Sequence, residues 1–168
     1  MRLDREHNLG RHLRAKDYVD DQVSRSAFTA KQGDDHLSIY HLDYFATRDL
    51  NGQLRCVQRL LNAAKQANLE GGREVRDPDR FAVLSVGAAY AAVAQKVPQA
   101  RIDIRAAPLA GAEFHAGIFG YQADQTGAFV ALALAEAASL SPPMRQLPKP
   151  PDQDCAPRDD PDRYSQIG

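Results

Sequence analysis

The strongest constraint on the fold is an unbroken apolar run at residues 81–86, FAVLSV. A short apolar run that follows a turn, here Asp77-Pro78-Asp79, is typical of a strand with both faces buried. The Ala-rich stretch that comes next, residues 88–96, predicts a short helix packed closely on that strand. We therefore expect a sheet with helices against it and with residues 81–86 in a central position.

A second strong pattern lies upstream of this strand. Leu54, Val57 and Leu61 recur at helical spacing, which indicates an amphipathic helix over residues 52–67 with Asn51 as its N-cap. The other predicted elements are three strands and one helix: 37–40, 101–105, 114–121 and 127–139.

The pairing of these strands decides the fold class. Parallel pairing of 81–86 with 101–105 across the intervening helix would give an α/β fold, whereas other pairings give an α+β fold. The sequence leaves both open. It predicts a single small domain with a mixed sheet, two or three helices packed on that sheet, and a disordered C-terminal tail.

The two ends of the chain differ from its middle. Residues 1–23 are polar, carry charges of both signs and show no sustained period, so we expect an extended arm with at most a short strand. The stretch 142–168 holds seven of the ten prolines and few aliphatic residues. It cannot bury enough apolar surface to offset the entropy cost of ordering. The domain is therefore predicted to span 1–141, with 142–168 disordered.

Composition excludes several classes of function. The formal net charge is −1, so no overall attraction to nucleic acid or to an anionic membrane is expected. No apolar stretch is as long as a membrane span, and no Gly-rich phosphate loop is present, so no cofactor is predicted. Cys56 lies in the helical pattern and Cys155 in the tail, which argues against a disulfide and for a reducing cytoplasm.

His115 is the candidate catalytic residue. Alternation places it beside small residues, where an imidazole is suited to acid–base chemistry. Glu113 lies two residues away on the same expected face and would orient the ring. Arg101 and Arg105 share one strand face, which would lie next to His115 if the two strands form a hairpin, and paired arginines can clamp a phosphate or carboxylate. The alternatives are a histidine satisfied by backbone groups and a solvated row of arginines.

A second polar cluster surrounds the first predicted strand. Asp35, His36, His41 and Asp43 supply nitrogen and oxygen ligands that suit Zn²⁺ or Mn²⁺. Five positions is an odd step along a strand, so His36 and His41 should point to opposite faces. The alternative is a polar turn with the histidines at its rim. Tyr40, on the same strand, is a candidate binding residue.

Four segments in order resemble a group of small bacterial proteins with no established reaction. These segments are SAF at 26–28, LSIYHLDYF at 37–45, FAVLSVG at 81–87, and HAGI at 115–118 followed by Gly120. The resemblance covers roughly residues 10–140. It implies a bacterial domain and supplies no site, cofactor or reaction.

Three functions follow from these features. The first is a non-enzymatic binding or accessory protein of a bacterial multi-gene system, such as a defence or toxin-associated locus, that recognises a protein partner. The second is a small enzyme that uses His115 with a nearby arginine or Glu113 on a phosphorylated or nucleotide-like substrate. The third is a metal-dependent hydrolase built on His36, His41 and the nearby aspartates. Convergence of His115, His36 and an arginine would favour an enzyme.

Overall fold

Six strands pair edge to edge into one sheet, and a short two-stranded ribbon lies beside it. The computed structural model describes residues 1–159. The strands of the large sheet are β1 (Asn8–Leu13), β4 (His36–His41), β5 (Arg80–Ser85), β6 (Asp103–Ala106), β7 (His115–Phe119) and β8 (Ser139–Leu140). The ribbon consists of β2 (Tyr18–Val19) and β3 (Gln22–Val23). The helices are α1 (Leu50–Gln66), α2 (Val86–Lys96) and α3 (Gln125–Ala137).

The strand order in the large sheet is β6-β7-β4-β1-β5-β8, and every pair is antiparallel. The α+β alternative is therefore correct, and the described residues form one small domain with three helices. α2 leads the chain from β5 to β6, which lies at the other edge of the sheet, so these two strands do not pair. The described sheet therefore contains no parallel pair. β5 lies one strand from the opposite edge rather than at the centre.

The N-terminal stretch contains a central strand, β1, where the sequence predicted an extended arm. This strand pairs with β5 along its whole length. Its pattern is obscured because two polar side chains, Arg11 and His12, find partners inside the protein. The Arg11 guanidinium donates to the carbonyls of Ala27 and Ser38, at 2.9 and 2.7 Å. The His12 ring lies 2.9 Å from the Asp79 carboxylate.

Two hydrophobic clusters cover the two faces of the sheet. On the first face, α2 and α3 pack over buried side chains that include Leu9, Ile39, Leu84, Ile104 and Ile118. On the second face, α1 packs over buried side chains that include Tyr40, Phe81, Val83 and Phe114. This second face is covered less completely, because its side chains at positions 38, 105 and 119 are half-buried or exposed. An open part therefore remains over β4, β6 and β7.

α1 and α3 begin at acidic caps, whereas α2 begins at Ser85, whose hydroxyl accepts from the N–H of Ala88. Asp49 accepts a hydrogen bond from the backbone N–H of Gly52 at 2.8 Å, so the cap of α1 lies two residues before the predicted Asn51. Asp124 accepts from the N–H of Gly127 at 2.7 Å and begins α3. Each cap satisfies one of the N–H groups that a helix leaves free at its first turn.

Residues 142–159 pack against α1 and the segment before it, where the sequence predicted disorder. Met144, Leu147 and Cys155 are buried in the cluster on the second face. The domain therefore extends past 141, because a few apolar side chains anchor a segment whose average composition is polar. The prediction of disorder for 160–168 lies outside the described residues.

Cys56 and Cys155 form a disulfide, contrary to the expectation from their sequence contexts. The C-terminal segment returns to α1, where Arg59 donates to the Pro150 carbonyl at 2.6 Å and to the Asp152 carboxylate at 2.8 Å. Disulfides persist mainly in oxidising compartments. The expectation of a reducing cytoplasm rested on two unpaired cysteines, and this pairing takes away its basis. Within residues 1–159, no helix is both long and apolar enough to cross a membrane.

Breaking this disulfide should lower the free energy of unfolding by about 4.7 kcal/mol. The bond joins cysteines 99 positions apart, and opening a loop of about that length returns a large chain entropy to the unfolded state. Chemical denaturation of the wild type with and without a reductant measures the effect. The variant Cys56→Ala/Cys155→Ala is the control, since reductant should leave it unchanged. An unfolding midpoint of the wild type that does not move in reductant would contradict the prediction.

Candidate functional site

Imidazole, guanidinium and phenol groups gather on the open part of the second sheet face. We call this group the histidine face, and it consists of His36, Tyr40, Arg105, His115 and Phe119. Alternation along β4, β6 and β7 turns these side chains to the same side. Pairing between β4 and β7 places Tyr40 directly opposite His115 and His36 opposite Phe119.

The glycine at position 117 leaves the space into which two rings lean. Gly117 lies between His115 and Phe119 on β7 and is paired with Ser38. A Cβ atom at this position would lie 2.7 Å from ring atoms of both His36 and Phe119. The His36 and Phe119 rings are stacked, with centroids 4.7 Å apart. The shape of the histidine face therefore depends on the absence of a side chain here.

His115 is held in one tautomer by the backbone. Its Nδ1 lies 2.6 Å from the Ala107 carbonyl oxygen, which can only accept, so Nδ1 carries the proton and Nε2 is an acceptor. Burial lowers the pKa of the His115 imidazole and outweighs the Ala107 hydrogen bond, which by itself would raise it. The charges of His36, Arg73 and Arg11 lower this pKa further. The ring is therefore neutral at neutral pH.

His36 is held by a carboxylate instead. Its Nδ1 lies 2.5 Å from Asp35 Oδ1. The edge of its ring faces His115, with the two centroids 5.7 Å apart and the ring planes at 76°. The two imidazoles are thus direct neighbours on one face of the sheet.

Arg105 closes the outer side of the histidine face. The carbon at the centre of its guanidinium lies 4.0 Å from the centroid of the Phe119 ring, a cation–π arrangement. The same guanidinium lies 3.7 Å from the Asp103 carboxylate, which also pairs with Arg2 at 3.2 Å. These contacts fix a positive charge at the edge of the face.

Arg73 brings a further guanidinium to the inner end of the face. It lies in the segment between α1 and β5 and is half-buried. Burial is the main influence on the pKa values of His12, Tyr40 and His115, and the Arg73 charge lowers all three, which places its guanidinium close to them. Within residues 1–159 this side chain has no hydrogen bond or ion pair.

Some of the predicted site residues come together, and others do not. His115, Tyr40 and Arg105 share the histidine face, because β6 and β7 form the expected hairpin and β4 pairs with β7. Arg101 lies before β6, and its guanidinium donates to two carbonyls of its own loop. Glu113 is exposed in the loop before β7. It does not orient His115, since a backbone carbonyl accepts the Nδ1 proton.

The predicted metal ligands do not converge. His36 and Asp35 lie at the histidine face, whereas His41 lies at the other end of β4 on the first face. There its Nε2 is 3.0 Å from His7 Nδ1. The odd-step argument for these two histidines is thus confirmed, and Asp43 accepts the N–H of the first residue of β1. No group of three His, Cys, Asp or Glu side chains in residues 1–159 could hold a metal ion.

Sequence reasoning missed the ionisable residues at the inner end of the face. Arg73 lies in an irregular segment with no period. His12 and Asp79 form a buried pair, with side chains 2% and 5% exposed. Burial lowers the pKa of His12 and exceeds the effect of its partner. Burial by itself would raise the pKa of Asp79, but hydrogen bonds from the Arg76 backbone and His12 outweigh it and hold that pKa below its ordinary value.

Comparison with known proteins adds no further residues to this site. No family model, curated protein or solved structure matches the chain. The chemistry of the histidine face is therefore inferred from its own geometry.

Acid should destabilise the protein in the range where buried histidines gain protons on unfolding. The pKa values of His12 and His115 lie below their ordinary 6.5, so below that value the unfolded chain binds more protons than the folded one. The free energy of unfolding should fall between about pH 7 and pH 5, by up to about 1.4 kcal/mol per pH unit for each histidine.

Denaturation curves across this pH range measure the effect. The variant His12→Gln/His115→Asn replaces both imidazoles with amides that can still donate a hydrogen bond, and it should show a shallower dependence on pH. Equal slopes for the variant and the wild type would refute the assignment.

Proposed function

We propose that the protein binds a phosphorylated or nucleotide-like ligand at the histidine face. The observation that carries the proposal is the Arg73 guanidinium, which is half-buried and has no acceptor within residues 1–159. A cation withdrawn from water loses solvation free energy unless an anion pairs with it. A phosphate suits this role because it can accept two parallel hydrogen bonds from one guanidinium.

The charges around the face favour an anionic ligand. Two guanidinium groups, of Arg73 and Arg105, flank the neighbouring imidazoles of His36 and His115. The carboxylates nearby already have partners, since one is bonded to His36 and the other, Asp103, lies in ion pairs. Of the two guanidinium groups, Arg105 pairs with Asp103, whereas Arg73 has no ion pair within residues 1–159, so an anion is favoured at Arg73.

Two further polar atoms are available to a ligand. The Tyr40 hydroxyl and His115 Nε2 have no hydrogen-bond partner in the described chain. Within residues 1–159, every fully enclosed side-chain nitrogen or oxygen has a hydrogen bond except Asp103 Oδ1. The Tyr40 hydroxyl and His115 Nε2 have none, so both atoms must reach solvent. The hydroxyl can donate to a phosphate oxygen, and Nε2 can accept from a ligand hydroxyl. A nucleotide carries both groups.

Calorimetric titration with uridine monophosphate tests the proposal. Arg73→Gln should weaken binding by about tenfold or more, because a hydrogen bond to a charged group contributes about 1.5–3 kcal/mol. Arg25→Gln is the matched control, since Arg25 is exposed on a turn that packs with α3. Gly117→Ala should also weaken binding by displacing the His36 and Phe119 rings. Equal affinity for the wild type and Arg73→Gln would sink the proposal.

A second candidate function is recognition of a protein partner through α3, within a bacterial multi-gene system. Phe129 and Leu132 are 52% and 42% exposed. They lie three positions apart and therefore on the same side of the helix. Large apolar side chains exposed together at this spacing are typical of helices that dock into a partner.

Co-purification with the proteins encoded beside this chain tests the second function. The variant Phe129→Ser/Leu132→Ser should lose a partner that the wild type retains, while it still binds uridine monophosphate as the wild type does. Retention of the partner by this variant would exclude α3 as the contact.

A further inference from the structure

Each imidazole of the histidine face is bonded to an oxygen atom through its Nδ1. His115 Nδ1 is bonded to the Ala107 carbonyl at 2.6 Å, and His36 Nδ1 to the Asp35 carboxylate at 2.5 Å. Both Nε2 atoms are left without a partner in the described chain. A partner at Nδ1 fixes the tautomer and leaves Nε2 to exchange protons. With ring centroids 5.7 Å apart, both rings can contact the same ligand.

The oxygen atoms behind the two rings differ, and so do the roles they support. The Ala107 carbonyl accepts the N–H of a neutral ring, so Nε2 of His115 is a proton acceptor. A carboxylate at Nδ1 is the kind of partner that suits an imidazole acting as an acid, so we assign the proton-donor role to His36 Nε2. The face therefore holds a base and an acid side by side.

We propose that His115 and His36 cleave a small ribonucleotide phosphodiester, such as a dinucleotide, at the histidine face. This rests on the proposed function, because the phosphate must be held by Arg73. Replacing one oxygen by another at phosphorus requires the removal of one proton and the delivery of another, and a base and an acid supply both. The guanidinium groups of Arg73 and Arg105 stabilise the charge that develops on the phosphate.

Protons and electrons balance across this step. Nε2 of His115 takes the proton of the ribose 2′-hydroxyl as that oxygen forms its bond to phosphorus. The bond from phosphorus to the 5′-oxygen of the next nucleoside breaks, and the electron pair stays with that oxygen, which takes the proton of His36 Nε2. The products are a 2′,3′-cyclic phosphate and a free 5′-hydroxyl. His115 is then protonated and His36 neutral, and exchange with water restores both.

Other features of the molecule fit this chemistry less well. Ser38 lies opposite Gly117 on the same face, but in the described chain no hydrogen bond joins its hydroxyl to either imidazole, so it is not an activated nucleophile. A cleft of about 420 Å³ beside α2 is lined by Arg5 and Arg101 among others, with no imidazole or carboxylate to move a proton. A short substrate is favoured over a polymer because the net charge of −1 attracts no polyanion.

Cleavage of two substrates with different leaving groups tests the pair: uridylyl-3′,5′-adenosine and uridine 3′-(4-nitrophenyl phosphate). His115→Asn and His36→Asn keep a donor near the position of Nδ1 and remove Nε2. His115→Asn should lower kcat/KM by about 100-fold or more on both substrates. His36→Asn should do so on the dinucleotide alone, and by less than about tenfold on the other, because 4-nitrophenolate leaves without a proton.

His7→Asn is the matched control, since His7 contacts His41 at the first face, and it should keep wild-type activity. The unfolding midpoint of each variant establishes that it folds. Full activity in His115→Asn, or equal cleavage of the 2′-deoxy dinucleotide, would overturn the inference. Binding of uridine monophosphate that depends on Arg73, with no cleavage by the wild type, would overturn the inference and leave the proposed function standing. Absence of that binding would remove both.

Discussion

A half-buried arginine, Arg11, joins the two halves of the sheet. β1 and β4 pair at only two positions, and beyond them Arg11 reaches across and donates to the carbonyls of Ser38 and Ala27. This contact holds β4, and with it β6 and β7, beside the rest of the sheet. Burial lowers the pKa of Arg11, yet an arginine stays charged inside a protein. Burial is the main cause that lowers the pKa of His115, and the Arg11 charge lowers it further, so the residue that joins the sheet also acts on that imidazole.

Regular hydrophobic periodicity accounts for the part of the fold that could be predicted. α1, β5 and β7 lie within a few residues of their expected bounds, because each has an apolar pattern that its own residues complete. β1 could not be found this way, since Arg11 and His12 interrupt its pattern and their partners lie far along the chain. The packing of 142–159 was missed for a related reason. Composition averages over a segment, whereas three buried side chains suffice to anchor it.

The site was predictable to the extent that strand alternation determines it. A period of two separates His36 from His41 and places Arg105 and His115 on one face once their strands pair. Nothing local in the sequence shows that β4 lies beside β7, so the contact between His36 and His115 could not be derived. Glu113 was selected by proximity along the chain, but the loop turns a backbone carbonyl to His115 instead.

The disulfide couples the segment 142–159 to α1. A segment that holds only short helical turns would ordinarily separate from the core at little cost in free energy. Because Cys155 is bonded to Cys56 in the buried side of α1, residues around this crosslink can separate from the sheet only together with the helix. The helix and the segment therefore form one cooperative unit. These two elements, which cover part of the second face, separate from the sheet together or not at all.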